Sequence, residues 1–448
     1  MPRRTGIIYG PIAVGVAALA SIAASPGPSS RRPLDVAPVW TGHPVGFHSL
    51  LASNRQFVAF FDAERRMTVA ARRLTETNWT FAVLPEKLGW DSHNYVTFAL
   101  DQAGHLHLSG NLHGNPLVYF RTTRALDIHS LERVPAMTGL QEQRATYPRF
   151  FTGPAGDLIF TYRDGGSGNG DQIYNIYDVQ TRSWRRLLNG PLISGEGQKS
   201  AYLHGPVRGP DGFYHLVWIW RETPDCATSH SICYARSRDW VNWETSRGTP
   251  LLLPITFQTG EVVDPVPLHG GAVNGNVVLG FDAQKQPIVS YHKFDTNGFT
   301  QVYNTRLENG RWVQYQATDW KHRWEFGGGG SIPFEVRVGP VTLDAANQLS
   351  QHFSSREKDS GTWLLDDRNL RPLRRVPAPE AGIADLRKVR SAFPGMQVHL
   401  VPVQGSNTGP ATLWLRWETL GANRDRPRPG PLPPPGMLEV YEIAQPKP

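Results

Sequence analysis

His93, in WDSHNYVTF, and His113, in SGNLHG, stand twenty positions apart; Tyr147, in TYPRF, and Arg163, in TYRDGGSGNGD, follow sixteen apart. An imidazole moves or holds a proton near neutral pH, and a phenol does so when a positive charge draws its pKa down. A guanidinium supplies that charge or grips a carboxylate or sulfate with two parallel hydrogen bonds. The four together make an acid/base set with a cationic clamp. Each lies within a few residues of an alternating apolar run, which puts them at strand ends or loops on one rim of a β-architecture.

Other reactive side chains carry plainer readings. His105 and His107 alternate onto one face of a single strand and are expected to pack, as are Trp218 and Trp220. GGSGNGD lacks the Lys and the helix of a phosphate-binding loop, so its glycines are read as sharp turns beside a groove. Cys226 and Cys233, the only cysteines, flank His230 in DCATSHSICYARS. Three states are open for them: a local disulfide, a structural zinc held with His230 and a further His, or two free thiols.

The elements that must position these groups are strands. A loose repeat runs through FFDAERRMTVAA, ALDQAGHLHLSG, TGPAGDLIFTY, RGPDGFYHLVWIW, GFDAQKQPIVSY and TLDAANQLSQHF. Each is an apolar residue, an Asp- or Gly-centred turn and then an alternating strand, as a hairpin requires. The spacing suits four-stranded propeller blades, and about sixty residues per blade gives about seven blades. The predicted fold is therefore all-β, a seven-bladed β-propeller in a single domain. Only the stretch around Glu380 to Arg390 reads as helix. LWLRWETL and MLEVYEI are the expected closing strands, separated by the Pro-rich run at about 424–436, which reads as an exposed surface loop. The strands around Val45 to Phe61 are expected to complete that blade.

The chain opens with Arg3 and Arg4, an apolar stretch from Gly6 to Ala24, and SPGPSSRRP. This reads as a signal peptide with a short linker over 1–30, ahead of the propeller at 31–448; an uncleaved anchor is the alternative. The expected location is secreted or periplasmic, with no stable membrane association after cleavage. A net charge of +7 favours an anionic partner. Nucleic acid is not expected, since no dense Lys/Arg run is present.

From about Trp90 to Trp324 the chain resembles the BNR-repeat-containing family that includes the seven-bladed ulvan lyases. The resemblance rests on DSHN (Asp91 to Asn94), SGNLH ending at His113, YPRF (Tyr147 to Phe150), YRDGGSGNGD (Tyr162 to Asp171), HLVWIWRET from His215 and YARSRDWVNW (Tyr234 to Trp243). Later echoes are YHKFDTNGFTQVY from Tyr291 and the glycine run Gly327 to Gly330.

The resemblance implies a polysaccharide lyase acting on a uronic-acid-containing, ulvan-like polysaccharide by β-elimination. It makes Tyr147 the leading base and acid, activated by Arg163; His93 neutralises the uronate carboxylate and His113 shares proton transfer. Asn94, Tyr202 and Arg221 are expected to bind substrate. The chemistry requires no cofactor, a structural zinc or calcium aside, and the expected state is a monomer. Two other readings stand beside it: a glycoside hydrolase using carboxylates such as Asp91, Asp164 and Asp264, and a non-catalytic carbohydrate-binding propeller.

Overall fold

The computed structural model describes residues 33–356, 360–377, 381–406 and 411–444. The apolar segment from Gly6 to Ala24 lies outside them. Among the described residues no helix is long and apolar enough to cross a membrane, and the one α-helix is the single short turn Ala381–Leu386, where the sequence reads as helix.

Apart from 3-10 turns at Ile128–Ser130 and Cys226–Thr228, the regular structure of the described residues is almost all antiparallel strand, because the apolar runs are short, β-branched or aromatic, and punctuated by turn residues. One four-stranded sheet joins the two ends of the described chain. Leu34–Val39 pairs with Gly436–Ala444, which continues to Ala411–Leu420 and Met396–Pro402. The closing strand is thus Leu34–Val39. The Val45 to Phe61 stretch instead supplies the first two strands of the next sheet, His48–Ala52 and Arg55–Phe61, because the bend after Val39 already directs the chain out of the closing sheet.

Four-stranded sheets begin at His48, Val96, Val278 and Val336. A ten-stranded sheet lies between the second and third of these. It contains two antiparallel runs, one from Ala145–Thr152 through Ser183–Arg186 and one from Ser200–Arg208 through Trp243–Glu244. A single parallel pair, Gly170 with Ser200, bridges them.

Successive sheets pack face to face, and Tyr214–Arg221 shows how. Leu216, Trp218 and Trp220 enter one apolar cluster, while Val217 and Ile219 enter another. All five are fully buried, so this strand has no solvent face and its alternate residues serve two neighbouring sheets. Each such side chain contributes about 1.5–3 kcal/mol by leaving water. Trp218 and Trp220 are core, as their alternation implies.

The recurrent Asp works as a turn lock. Oδ1 of Asp101 accepts from the backbone N–H of Ala103 and His105 at 2.9 and 2.8 Å; Asp282 and Asp344 repeat the pattern two and four residues on. Five of the six repeat motifs join the first strand of a run to its second. FFDAERR is out of step: Asp62 makes the same bonds, but between Arg55–Phe61 and Arg66–Arg73, the second and third strands.

Two sheets share a further internal echo. His107 bonds Tyr119 Oη at 2.7 Å and Asp101 at 3.3 Å, and His215 bonds Tyr234 Oη at 2.6 Å and Asp211 at 2.9 Å. In each, a turn Asp, a second-strand His and a third-strand Tyr form a buried polar line. Burial holds both imidazoles below their ordinary pKa, and His105 is bound to the Thr122 carbonyl. These histidines are structural.

Candidate active site

In five runs an Asp- or Gly-centred turn, and in the run that starts at His48 the turn at Ser53 and Asn54, closes one end of the first strand. The other ends carry His43, His93, Tyr147, Tyr202, Asn274 and Ser331, each in or just before the first strand of its run. They line the opposite rim.

Asp91 holds the two histidines. His93 Nδ1 lies 2.7 Å from Asp91 Oδ1, and His113 Nδ1 bonds Asp91 Oδ2. The rings stack with centroids 4.2 Å apart. A carboxylate only accepts, so both Nδ1 atoms carry hydrogen, and Nε2 of each ring is left for other work. Burial disfavours an imidazolium, yet Asp425 and Asp91 outweigh it and carry the His93 pKa up to about 9. In return, the same two histidines hold Asp91 well below the usual carboxylate range, against its burial. Asp91, His93 and His113 are also the one group of His, Cys, Asp or Glu among the described residues whose ligand atoms gather within 4.8 Å. Hydrogen bonding accounts for that gathering without a cation.

Tyr147 sits beside them, its ring 5.6 Å from His93 and 6.0 Å from Tyr202. It occupies a β-bulge where the pairing with Leu158–Gly166 slips between Thr146 and Arg149. Its φ of +57° is a left-handed conformation that costs a non-glycine residue about 1–3 kcal/mol, the kind of strain that concentrates at functional sites. One register position away, Thr146 faces His113 on one side and Arg163 on the other, so neighbouring strands bring three of the four predicted residues together.

Arg163 departs from expectation. It is 1 % exposed, beneath the tyrosines rather than in the groove, with its guanidinium 4.9 Å from the Tyr147 ring and 5.7 Å from that of Tyr202. It pairs with neither Asp164 nor Asp171. Nη1 bonds Tyr202 Oη at 3.3 Å, whereas Nε and Nη2 have no partner among the described residues. Room for it comes from Gly170, where a Cβ would lie 2.7 Å from Arg163 Cδ.

Arg221 also reaches Tyr202 Oη, at 3.1 Å, and Ser167 Oγ meets that oxygen at 2.5 Å. Although burial favours the neutral phenol, Arg221 and Arg163 draw the Tyr202 pKa down. Tyr147 goes the other way. Burial first, then the charge on Tyr202, push it well up against the pull of Arg163 and Arg221. Both guanidinium groups aim N–H bonds at Tyr202, and Arg163 meets Tyr147 through its ring face, where its charge pulls against the burial that raises that phenol.

A cavity of about 200 Å³ opens beside the tyrosines, lined by Tyr147, Tyr202, Gln172, His204, Asn274 and the exposed Arg149. Burial and then Arg149 push His204 down to about 4, so Arg149 is the charge there. Asn94 is half-buried, and its Oδ1 has no partner among the described residues.

The Cys226, His230 and Cys233 ligand set does not converge. Cys226 and Cys233 are free, buried thiols in different apolar clusters, and His230 Nε2 lies 2.8 Å from Glu222. Alternation along Ser229–Ser237 and the separate turn that carries Cys226 send the three side chains to different surroundings.

Sequence reading gives no site role to Asp425, Ser167, Asn274 or Arg149, and takes Asp91 as part of the DSHN motif and as a candidate hydrolase carboxylate, not as the anchor of two histidines. The signals for Asp91, Ser167 and Arg149 were adjacency to His93, to the Gly-rich turn and to Tyr147; Asn274 and Asp425 had none.

Stacked sheets closed by their two ends, with ionisable groups gathered on one rim, define a repeat-built all-β protein with a polar groove. A family model described as "BNR repeat-containing family member" matches residues 55–320, more than half of the chain. The chain belongs to the BNR repeat-containing family.

Among curated relatives, the long isoform of ulvan lyase from Alteromonas sp. (strain LOR) is 28 % identical over 156 residues, covering 31 % of this chain and 15 % of that protein. The short isoform from the same strain is 26 % identical over 153 residues, covering 31 % and 28 %. The match thus spans less than a third of either relative. Among solved structures, a PL25 polysaccharide lyase, an ulvan lyase bound to -[GlcA(1-4)Rha3S]-, superposes with a TM-score of 0.57 at 14 % identity, covering 87 % of this chain and 97 % of that one. The polysaccharide lyase Uly1 gives 0.57 at 14 %, covering 90 % of each. At these identities the likeness is one of fold.

Proposed function

We propose that the protein is a secreted polysaccharide lyase that cleaves a uronic-acid-containing, ulvan-like polysaccharide by β-elimination on a seven-bladed propeller, the ten-stranded sheet counting as two blades. The observation that carries this is the pairing of His93 and His113 on the one carboxylate of Asp91, with the Tyr147 ring beside them.

Elimination makes three demands. The C5 proton of a uronate is poorly acidic until its carboxylate is neutralised. A charged His93 meets that need, with Arg163 adding positive potential from below the tyrosines. A base must then take the proton. Asp91 fixes His113 by Nδ1, which leaves Nε2 as the acceptor. The C5–H electrons form the C4–C5 double bond as the C4–O4 bond breaks, and the leaving O4 needs a proton. Tyr147, whose pKa is raised, supplies it. Its phenolate then regains a proton from His113 through solvent, and the site is reset. The roles of His93 and His113 follow the sequence reading; base duty passes from Tyr147 to His113.

Arg149 faces the cavity next to Tyr147 and is suited to a further carboxylate or sulfate of the chain. Tyr202 lines the same cavity, the buried Arg221 hydrogen-bonds its hydroxyl, and Asn94 offers, next to His93, an Oδ1 unpartnered among the described residues. Hydrolysis is less well supported. It needs two free carboxylates, whereas Asp91 is committed to the histidines and Asp264 to Tyr291, Lys293 and Gln314.

The test is incubation with ulvan and other uronate polysaccharides while following the ultraviolet absorbance of the unsaturated uronate. Growth of that absorbance in step with new chain ends is expected. New reducing ends without it would establish hydrolysis, and neither signal would leave a binding protein.

A further inference from the structure

The Pro-rich run between Ala411–Leu420 and Gly436–Ala444 is largely exposed, yet its first turn reaches the rim. Arg424 and Asp425 both have left-handed backbone, with φ of 54° and 55°, which non-glycine residues hold only when their surroundings demand it. Arg424 is pinned by its own N–H to the Ser331 carbonyl and by its guanidinium to the Gly327 and Gly329 carbonyls. This explains the glycine run: a Cβ on Gly330 would lie 2.5 Å from the Arg424 carbonyl oxygen.

Asp425 is thereby turned inward, its side chain 9 % exposed. Oδ1 accepts from His43 Nε2, Ser92 N and Ser92 Oγ, each at 3.1 Å, and from Ser331 Oγ at 2.7 Å. Oδ2 accepts from Ser331 N at 2.7 Å and lies 3.5 Å from His93 Nδ1. Loops ahead of three different sheets meet on this one carboxylate.

We propose that Asp425 is a positioning residue of the site: it ties the loops bearing His43, Ser92 and Ser331 into one rim and, with Asp91, keeps His93 aimed and cationic. This rests on the reading of His93 as the group that neutralises the substrate carboxylate. The titratable groups facing His93 are Asp91 from its own loop, His113, Tyr147 and Asp425; those facing Asp425 are His43 and His93. Two carboxylates against His93, one of them shared with His113, make Asp425 the anion that compensates His93 while Asp91 serves both rings. Its hydrogen bonds hold Asp425 itself far below the usual carboxylate range despite burial.

The experiment is an NMR titration of the His93 imidazole without substrate, its signal identified by loss in His93→Gln. In Asp425→Asn the midpoint is expected to fall by about one to three pH units, the usual effect of removing a close opposite charge. The alkaline limb of kcat/KM should move down by the same amount, which a purely structural loss would not produce. If Asp425→Asn fails to fold, the Ser92→Ala/Ser331→Ala double variant, which keeps the charge but frees it from the rim, takes its place and is expected to lower the midpoint too. A folded variant whose midpoint stays within a few tenths of a unit of wild type overturns the proposal. Because this readout needs no turnover, a raised His93 midpoint in a protein that makes no unsaturated product would refute the lyase reading and leave Asp425 in place.

Discussion

Replacing Tyr147 with Phe removes one hydroxyl and nothing else. The ring contacts at 5.6 Å to His93, at 6.0 Å to Tyr202 and at 4.9 Å to the Arg163 guanidinium are all made by the ring, which Phe retains. The bulge and its left-handed φ are unchanged, since Phe is no better suited to that backbone than Tyr. Stability should therefore hold, with Tm within about 2 °C of wild type. Activity should not. Loss of a positioned proton donor costs about 10²–10⁴ in rate, which at 1.36 kcal/mol per decade is about 2.7–5.4 kcal/mol of transition-state stabilisation. That deficit should fall on kcat with KM little changed, because the hydroxyl is used only as O4 leaves. Initial rates of unsaturated-uronate formation across substrate concentration give both constants. A variant within about threefold of wild-type kcat would remove Tyr147 from proton transfer.

Four further outcomes are expected. Gly170→Ala should displace Arg163, because the new Cβ meets Arg163 Cδ at 2.7 Å and the Asp164 carbonyl at 3.1 Å; a stability loss of about 1–3 kcal/mol by urea unfolding, with reduced kcat, is the predicted pair. Arg149→Gln should raise KM on sulfated or uronate-rich substrate with kcat nearly intact, and a kcat loss instead would place Arg149 in the chemistry. Stability should be greatest near about pH 6.5, because His204, held at about 4 by burial, and His107 and His215, held low in the same way, stay neutral in the fold and cost stability as pH falls below their unfolded value. His93, raised to about 9, stabilises fully below its unfolded value and ceases to do so as pH rises through 9; Asp91 and Asp425, held low, stabilise above the ordinary carboxylate range and lose this as pH falls, so urea midpoints should decline on both sides. Finally, a thiol reagent should find both cysteines only after unfolding, since both are buried and burial pushes the Cys233 thiol up to about 12; rapid labelling of the native protein would contradict this placement.

What the sequence made legible was local. The Asp-centred turns could be read because an Asp followed by two backbone donors is a complete unit of physics, bonding and all. Asp62 also closes a hairpin, but which pair of strands in its sheet it joins is not a local property. His93, His113 and Tyr147 were legible as residue types near strand ends. The directions of the His93 and Tyr147 pKa values were not, since those depend on which neighbour aims a hydrogen bond and which offers only a ring face. Arg163 is the clearest instance, a cation whose burial under two tyrosines no spacing reveals. Asp425 lies more than three hundred residues from His93 within a run that reads as exposed loop, and only closure of the fold brings it to the rim. Cys226 and Cys233 left a disulfide, a zinc site and two free thiols open in one dimension; the fold places one on a turn and the other in a strand, both as free buried thiols.

The most direct measurement is a crystal structure of the Tyr147→Phe protein with a glucuronate-containing oligosaccharide. The account predicts the uronate carboxylate within hydrogen-bond distance of His93, its C5 face toward His113 and the scissile O4 over the position-147 ring. An oligosaccharide bound away from this rim, or with its carboxylate on Arg149 and no contact to His93, would contradict it.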